Sequence, residues 1–351
     1  MKKRSTLRDV AQLAGVSTAT VARVLHNQGY VAATTRQRVE SALAESDYRI
    51  NVVAQVLRTQ RTWTIGHLLH GVWPNPFFAG VALGVEQEAA RHGFSVLMYN
   101  SRSDSDRERR GVEWFLERNV DAIIFTTAVG TANVRLAVEG QVPVVQVERV
   151  TAVETGTVMI DHHRGAYEAM SHLFELGHRR VAYIGGDPKY YAPTASGKRN
   201  VEQERLRGYL EAHERFGLEL SDDLIFVGRY FSLEDSGIGD EGYRQMRRLM
   251  DRSEPPTAAF AACDLLAAGA LQAVYELRLR VPQDVSIIGF DDTLAPHLAP
   301  PLTTVRLPMR AIGEAAVRLA LESRAGGARL RSTRTLRPRL VVRGSTGPPA
   351  Q

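Results

Sequence analysis

At the amino end, apolar residues recur at helical spacing. In TLRDVAQLAGVSTATVARVL, residues 6–25, Ala11 stands where two helices would cross and Gly15 follows four residues later in a turn. Val16, Val21 and Val24 supply apolar anchors. Glycine tolerates the left-handed backbone such a turn requires. Ser17 occupies an N-cap position, its hydroxyl placed to accept from the first backbone N–H groups of a helix over Thr18–Leu25. That helix presents Thr18, Ala19, Thr20 and Arg23 outward, which suits a helix laid into a DNA major groove. An ordinary αα-hairpin shares the spacing but not the basic flanks. A third helix is predicted over Val31–Asp47, with Val39, Ala42 and Leu43 closing a three-helix core and Arg36 and Arg38 near its start. Val52–Arg58 is a helical run of two turns, too short to hold in water alone, so it is either packed or formed on binding. Thr59–Thr64 reads as a linker.

From Ile65 the pattern changes. Short apolar runs at Ile65–Leu69, Phe94–Tyr99, Ala122–Thr126 and Val142–Val147 alternate with helical stretches. A second series follows at Val181–Gly185, Leu224–Val227, Ala258–Ala261 and Val285–Phe290. Buried strands of this kind, separated by helices, predict two parallel α/β sheets. In such sheets ligands bind beyond the carboxyl ends of the strands, which with two lobes means the cleft between them.

Composition sharpens this division. A chain of 351 residues exceeds one compact core, so two or three units are expected. Residues 1–62 hold ten Lys/Arg against four Asp/Glu, whereas the remaining 289 hold 34 against 35. The formal charge of +5 is therefore concentrated in the head, as an electrostatic footprint for nucleic acid would be. The single cysteine, Cys263, excludes an intramolecular disulfide and suits a reducing compartment. MKKRSTLRD leads into no apolar signal segment, and no run approaches the roughly 18 apolar residues of a membrane helix, so a cytoplasmic protein is expected.

Enzyme signals are weak. Ser196-Gly197-Lys198-Arg199 resembles the end of a P-loop but lacks the upstream Gly and the final Ser/Thr. No G-x-G-x-x-G follows the first core strand and there is no G-x-S-x-G elbow. His162-His163 has no Cys/His partner at metal-ligand spacing. No catalytic set, cofactor or metal is expected.

The chain resembles the LacI/GalR family of bacterial transcription repressors through essentially its whole length. The resemblance is carried by DVAQLAGVSTATVARVL, NVVAQVLRTQRTWTIG and NPFF at 75–78, then by ELGHRRVAYIGG and RLRGY at 205–209. CDLLAAGAL at 263–271, VPQDVSIIGFDD at 281–292 and LTTVRLP at 302–308 complete it. It implies a helix-turn-helix head over 1–49, a hinge helix and linker over 50–61, and a core like that of type I periplasmic binding proteins. The core would divide into one lobe over 62–161 and 307–334 and another over 162–306 and 335–345, with 346–351 as a tail.

The resemblance also implies roles. Thr18, Ala19 and Arg23 fall on base-reading positions, beside Thr20. Arg can bond guanine bidentately, while Thr and Ala add shape and methyl contacts. Ala22 stands where Ser commonly precedes the Arg, and His26 where Asn is frequent. Leu57 matches a leucine wedged into the minor groove at a central C–G step, with Ala54 and Arg58 beside it. Phe77, Phe78, Glu148, Asp161, Arg205, Tyr230 (or Phe231), Cys263 and Asp291 map to the effector pocket. Cys263 replaces a usual Asn or Asp, and Glu148 a usual Asp. Facing guanidinium and carboxylate groups can clamp paired hydroxyls or a carboxylate, or else form a structural ion pair; a sugar or sugar derivative is the effector this resemblance implies. Segments 186–200 and 232–240 exceed the family's usual loops, making Tyr190, Tyr191 and Lys198 candidate contacts.

The implied molecule is a homodimeric repressor on a pseudo-palindromic DNA operator, controlled by a small-molecule effector. Arg324–Gln351 carries seven Arg, no acid and no leucine heptads, against a coiled-coil tetramer. The alternatives are a solute-binding protein of a transport system, or the same fold working with a co-repressor or as an activator.

Overall fold

The computed structural model describes residues 5–25, 29–46, 48, 61–71, 75–190, 200–228, 240–325 and 332–350. The chain divides into two compact units, 1–62 and 63–351. Thr62, expected to open the first lobe, falls with the amino-terminal unit.

The amino-terminal unit holds α1 (Leu7–Ala14), α2 (Thr18–Leu25) and α3 (Ala33–Glu45). Thr6 and Asp9 form a reciprocal capping box at the start of α1. Gly15 ends α1 at φ 61° and ψ 40°, the left-handed conformation that lets α2 turn across it. Val10, Ala11, Ala14, Val21, Val24, Val39 and Ala42 are buried together, with Val16 and Leu43 packed against them. The third helix is shorter than the predicted Val31–Asp47, because Ser46 already turns extended at φ −93° and ψ 144°.

The larger unit contains two six-stranded sheets. The first lobe runs β1 (Thr64–Leu69), α4 (Pro76–Arg91), β2 (Ser95–Asn100), α5 (Ser105–Glu117), β3 (Ala122–Thr126), α6 (Thr131–Glu139), β4 (Val144–Val147) and β5 (Gly156–Ile160). The second runs α7 (His162–Glu175), β6 (Val181–Gly186), α8 (Val201–Arg215), β7 (Ile225–Gly228), α9 (Asp240–Met250), β8 (Ala258–Ala261), α10 (Asp264–Glu276), β9 (Ser286–Asp291) and β10 (Thr303–Arg306). The chain then returns through α11 (Met309–Ala325) and β11 (Thr333–Leu336) before ending on β12 (Arg339–Val341).

The first sheet has the order β11-β5-β4-β3-β1-β2, parallel throughout. The second has the order β12-β10-β9-β8-β6-β7, parallel except for the antiparallel β10–β12 pair. The chain therefore crosses between lobes three times, after β5, after β10 and after β11. The last crossing corrects the sequence-based division at 334/335, since Thr335 and Leu336 pair with Met159 and Ile160 of β5.

Helices cover both faces of each sheet, which explains the near-continuous apolar strands. Buried residues of α4 and α11 pack on the first sheet and merge with α7, α8 and the second sheet in one core. Gly84 makes this possible, because a Cβ there would lie 2.1 Å from the Arg310 carbonyl oxygen on α11. A separate cluster around Leu68, Phe115 and Phe125 fills the opposite face of the first sheet.

Candidate DNA interface and effector cleft

In the amino-terminal unit, Ser17 caps α2 by accepting the Thr20 backbone N–H at 3.1 Å. Its hydroxyl also meets the Thr20 hydroxyl at 2.9 Å. Thr20 is consequently half-buried, while Thr18, Ala19 and Arg23 are exposed along α2. This is the side-chain set a recognition helix needs: one cation with a planar fork, flanked by small residues that allow close approach. The proposed hinge contacts Ala54, Leu57 and Arg58 lie outside the described residues, as does His26.

The cleft is built at the carboxyl ends of strands. Glu148 directly follows β4 with φ 68°, and Asp291 ends β9 with φ 106°. Non-glycine residues in this region carry a backbone cost of about 1–3 kcal/mol, which here swings two carboxylates off the ends of their strands. His162 opens α7 immediately after the first crossing, and Arg205 lies in the second turn of α8.

These residues form a chain of hydrogen bonds. The Arg205 Nε–H donates to His162 Nδ1 at 3.2 Å, and its Nη1–H to the Ala262 carbonyl at 2.7 Å. A guanidinium has no acceptor, so His162 Nδ1 must accept and the ring proton sits on Nε2. That Nε2–H then donates to Glu148 Oε2 in a short hydrogen bond. The Arg205 guanidinium and the His162 ring share one aromatic floor. The Arg205 guanidinium carbon lies 4.3 Å from the centre of the Phe290 ring, and the His162 ring stacks on it at 5.8 Å.

Asp291 is 3% exposed, and burial pushes its carboxyl well above the usual range, reinforced by the nearby Asp264 charge and opposed by Arg205. Burial likewise raises Asp264, although Thr304 and the backbone N–H groups of Leu294 and Ala295 donate to it. Two carboxyls this close and this dry favour holding a proton between them. The Asp291 Oδ1 atom accepts from the Thr293 hydroxyl at 2.7 Å and the Thr293 backbone N–H at 3.1 Å. Cys263 is buried beside them, and burial first, then Asp291, raises its thiol. The thiol therefore stays protonated and serves as a small apolar wall.

Glu148, Arg205, Cys263 and Asp291 are thus brought together, joined by His162. Asp161 is placed differently: its Oδ1 accepts the Arg164 backbone N–H at 3.0 Å and caps α7. Phe77 and Phe78 start α4 behind an Asn75 cap and are largely buried. Phe78 stacks on His70 with ring centres 5.3 Å apart. Tyr230, Phe231, Tyr191 and Lys198 lie outside the described residues.

Besides His162, sequence reasoning missed His70, Arg149 and Glu202. His70 follows β1, and Ser103 bonds its Nδ1 at 2.5 Å. Burial, then the Arg149 charge, lowers its pKa to about 4. Arg149 itself reaches across to Glu202 on α8 at 2.7 Å. The position of His70 and Arg149 just beyond strand ends was the available signal; nothing in the sequence links Arg149 to Glu202. The neighbouring His163 turns to Glu211 instead, at 2.7 Å, and pins α7 to α8.

Comparison with known proteins accounts for both units. Residues 6–51 match the bacterial regulatory proteins of the lacI family, and residues 170–346 match a periplasmic binding protein-like domain. The HTH-type transcriptional regulator DegA of Bacillus subtilis is 36% identical over 351 residues, covering 98% of this chain and 99% of that protein. The chain belongs to the lacI family.

As a lacI-family protein it is a DNA-binding transcriptional repressor with an effector-binding core, and its relatives are regulators rather than enzymes. The repressor CytR of Escherichia coli K12 is 32% identical over 97% of this chain and 96% of its own length. Among solved structures, a lac repressor dimer bound to operator and the anti-inducer ONPF superposes with a TM-score of 0.79 at 27% identity, covering 98% of this chain and 100% of that one. The transcriptional regulator CelR in complex with cellobiose matches with a TM-score of 0.70 at 31% identity, covering 97% and 100%. Among the described residues of this lacI-family chain, no helix is long and apolar enough to cross a membrane, and no cluster of three or more His, Cys, Asp or Glu is placed to hold a metal ion.

Proposed function

We propose that this repressor acts in the cytoplasm as a homodimer on a pseudo-palindromic operator with a central C–G step. Its operator affinity is set by a sugar or sugar derivative bound between the two lobes. Thr18, Ala19, Thr20 and Arg23 read bases, and Leu57 with Ala54 and Arg58 opens the minor groove. Phe77, Phe78, Glu148, Asp161, Arg205, Tyr230, Cys263 and Asp291 surround the effector.

The observation that supports this reading best is the hydrogen-bonded line from Glu148 on the first lobe through His162 to Arg205 on the second. A ligand that engages Glu148 and Arg205 touches both lobes at once, so its binding energy depends on how the lobes are closed. Differential affinity of this kind is what allows a small molecule to shift a conformational equilibrium. Coupling between such sites is typically about 1–3 kcal/mol.

The test is a thermal-shift screen of the full chain against sugars, sugar phosphates, nucleosides and purines, followed by operator binding with each hit. A ligand selective for the folded state raises the melting temperature by mass action. A sugar that also weakens operator binding makes the effector an inducer, and one that strengthens it makes it a co-repressor. Stabilisation by purines or nucleosides alone would reject the sugar assignment.

A further inference from the structure

We propose that the ion pair between Arg149 and Glu202 is a latch that holds the two lobes together before effector arrives. The proposal rests on the reading of the cleft as the effector site and concerns how that site opens. Arg149 follows Glu148 beyond the carboxyl end of β4, on the first lobe. Glu202 lies in the first turn of α8, on the second. The Arg149 Nη2 and Glu202 Oε1 atoms are 2.7 Å apart, and their side chains are 18% and 1% exposed.

Position distinguishes this pair from the Glu148–His162 bond, which also joins the lobes. Glu148 bonds His162, which sits one residue beyond Asp161 at the crossing of the chain, so a hinge motion there would hardly separate them. Glu202 is forty residues further along the sequence, on a helix that must move with the second lobe. Opening therefore breaks Arg149–Glu202 first. His70, close enough to feel the Arg149 charge, is held neutral by burial and by that charge, with its pKa lowered to about 4. It brings no second cation to compete for Glu202.

The energetics fit a latch better than a rivet. Opening exchanges a buried pair for two hydrated ions, so the Coulomb gain and the desolvation cost largely cancel and a modest net preference for closure remains. Removing one partner changes the balance, since closing then leaves the other charge buried and uncompensated. Glu202 Oε2 is buried and has no hydrogen-bond partner among the described residues. A hydroxyl or ammonium group of an entering effector would find an acceptor there without displacing Arg149, adding a second tie across the same gap.

The single cysteine offers a readout. Cys263 is 3% exposed and directly follows Ala262, whose carbonyl accepts Arg205, so it lies at the cleft floor. Its reaction with Ellman's reagent in the native full-length protein must wait for the lobes to part. Glu202→Gln and Arg149→Met are each expected to speed this labelling roughly tenfold. The double variant should label no faster than either single one, because the same pair is lost in all three. Thermal midpoints recorded in parallel separate opening of the cleft from global unfolding. Unchanged rates, rates that merely follow lost global stability, or effects that multiply in the double variant would overturn the latch. Should a single variant fail to fold, the charge-swapped protein Arg149→Glu with Glu202→Arg decides: restored protection supports the latch, and fast labelling rejects it. The assay contains neither operator nor effector, so its failure leaves the repressor reading standing, whereas loss of that reading would show as absent operator binding.

Discussion

Among the described residues, Arg205 engages partners of different kinds, including an imidazole nitrogen, a backbone carbonyl and an aromatic face. Only the planar guanidinium satisfies these together, since an ammonium offers neither the fork nor the flat face. Arg205→Lys should therefore abolish the effector-induced rise in melting temperature while leaving the unliganded protein folded and operator-competent. A full ligand response in that variant would remove Arg205 from the site. His67 supplies a second test at this scale. It is fully buried on β1, bonds Thr126 at 2.8 Å, and burial lowers its pKa to about 4 from 6.5. The folded state thus holds it neutral while the unfolded chain takes up a proton. Its stabilising contribution is complete above pH 6.5 and is lost as pH falls toward 4, up to about 3 kcal/mol. Unfolding midpoints in urea measured from pH 7 to 4.5 should drop accordingly, and His67→Gln should flatten that slope. An equally steep slope in the variant would assign the pH dependence elsewhere, with His70 next in line.

At the scale of elements, the helices that brace the first lobe depend on glycine at one crossing. Gly84 on α4 faces the backbone of Arg310, and Gly313 on α11 faces the Val81 carbonyl oxygen, where a Cβ would come within 2.3 Å. Backbone cannot yield as a flexible side chain does. Gly84→Ala should push α4 from α11 and cost about 1–3 kcal/mol, read as a lower urea midpoint with unchanged slope. A neutral result would mean that the helices separate freely, contrary to their shared core. The same scale shows where sequence reading worked and where it failed. Ala122–Thr126 and Ala258–Ala261 are fully buried, uninterrupted apolar strands and were readable residue for residue. β11 (TRTL) and β12 (RLV) were not, because they are short edge strands with few apolar positions and none fully buried. Their identity comes from pairing with β5 and β10, a partner choice that no local pattern encodes.

For the whole molecule, charge and function are segregated. The basic excess sits in residues 1–62, while Arg149, Glu202, Arg205 and Asp291 serve the core. Two variants should separate the parts of DNA recognition. Arg23→Ala is expected to cost about 1–3 kcal/mol on operator and to relax base preference at one position in each half-site. Leu57→Ala should weaken operator binding far more than binding to random DNA, because a wedge gains only at a step that unstacks readily. Equal losses on both DNAs, compared at fixed salt, would refute the wedge.

The sequence alone determined the helix-turn-helix, down to the Ser17 cap and the left-handed Gly15, because those features depend on residues a few positions apart. It also determined the alternation of buried strands and helices, since burial on both faces leaves a local apolar signature. Only the tertiary structure decided the site. Glu148, Arg205 and Asp291 could be nominated, but not the imidazole that joins two of them, nor the choice of Glu202 as the partner of Arg149. Those contacts span tens of residues and exist only when two separately wound sheets are folded back on each other. Hydrogen bonds and ion pairs of that range are set by the global packing, which the spacing of residues along a chain does not carry.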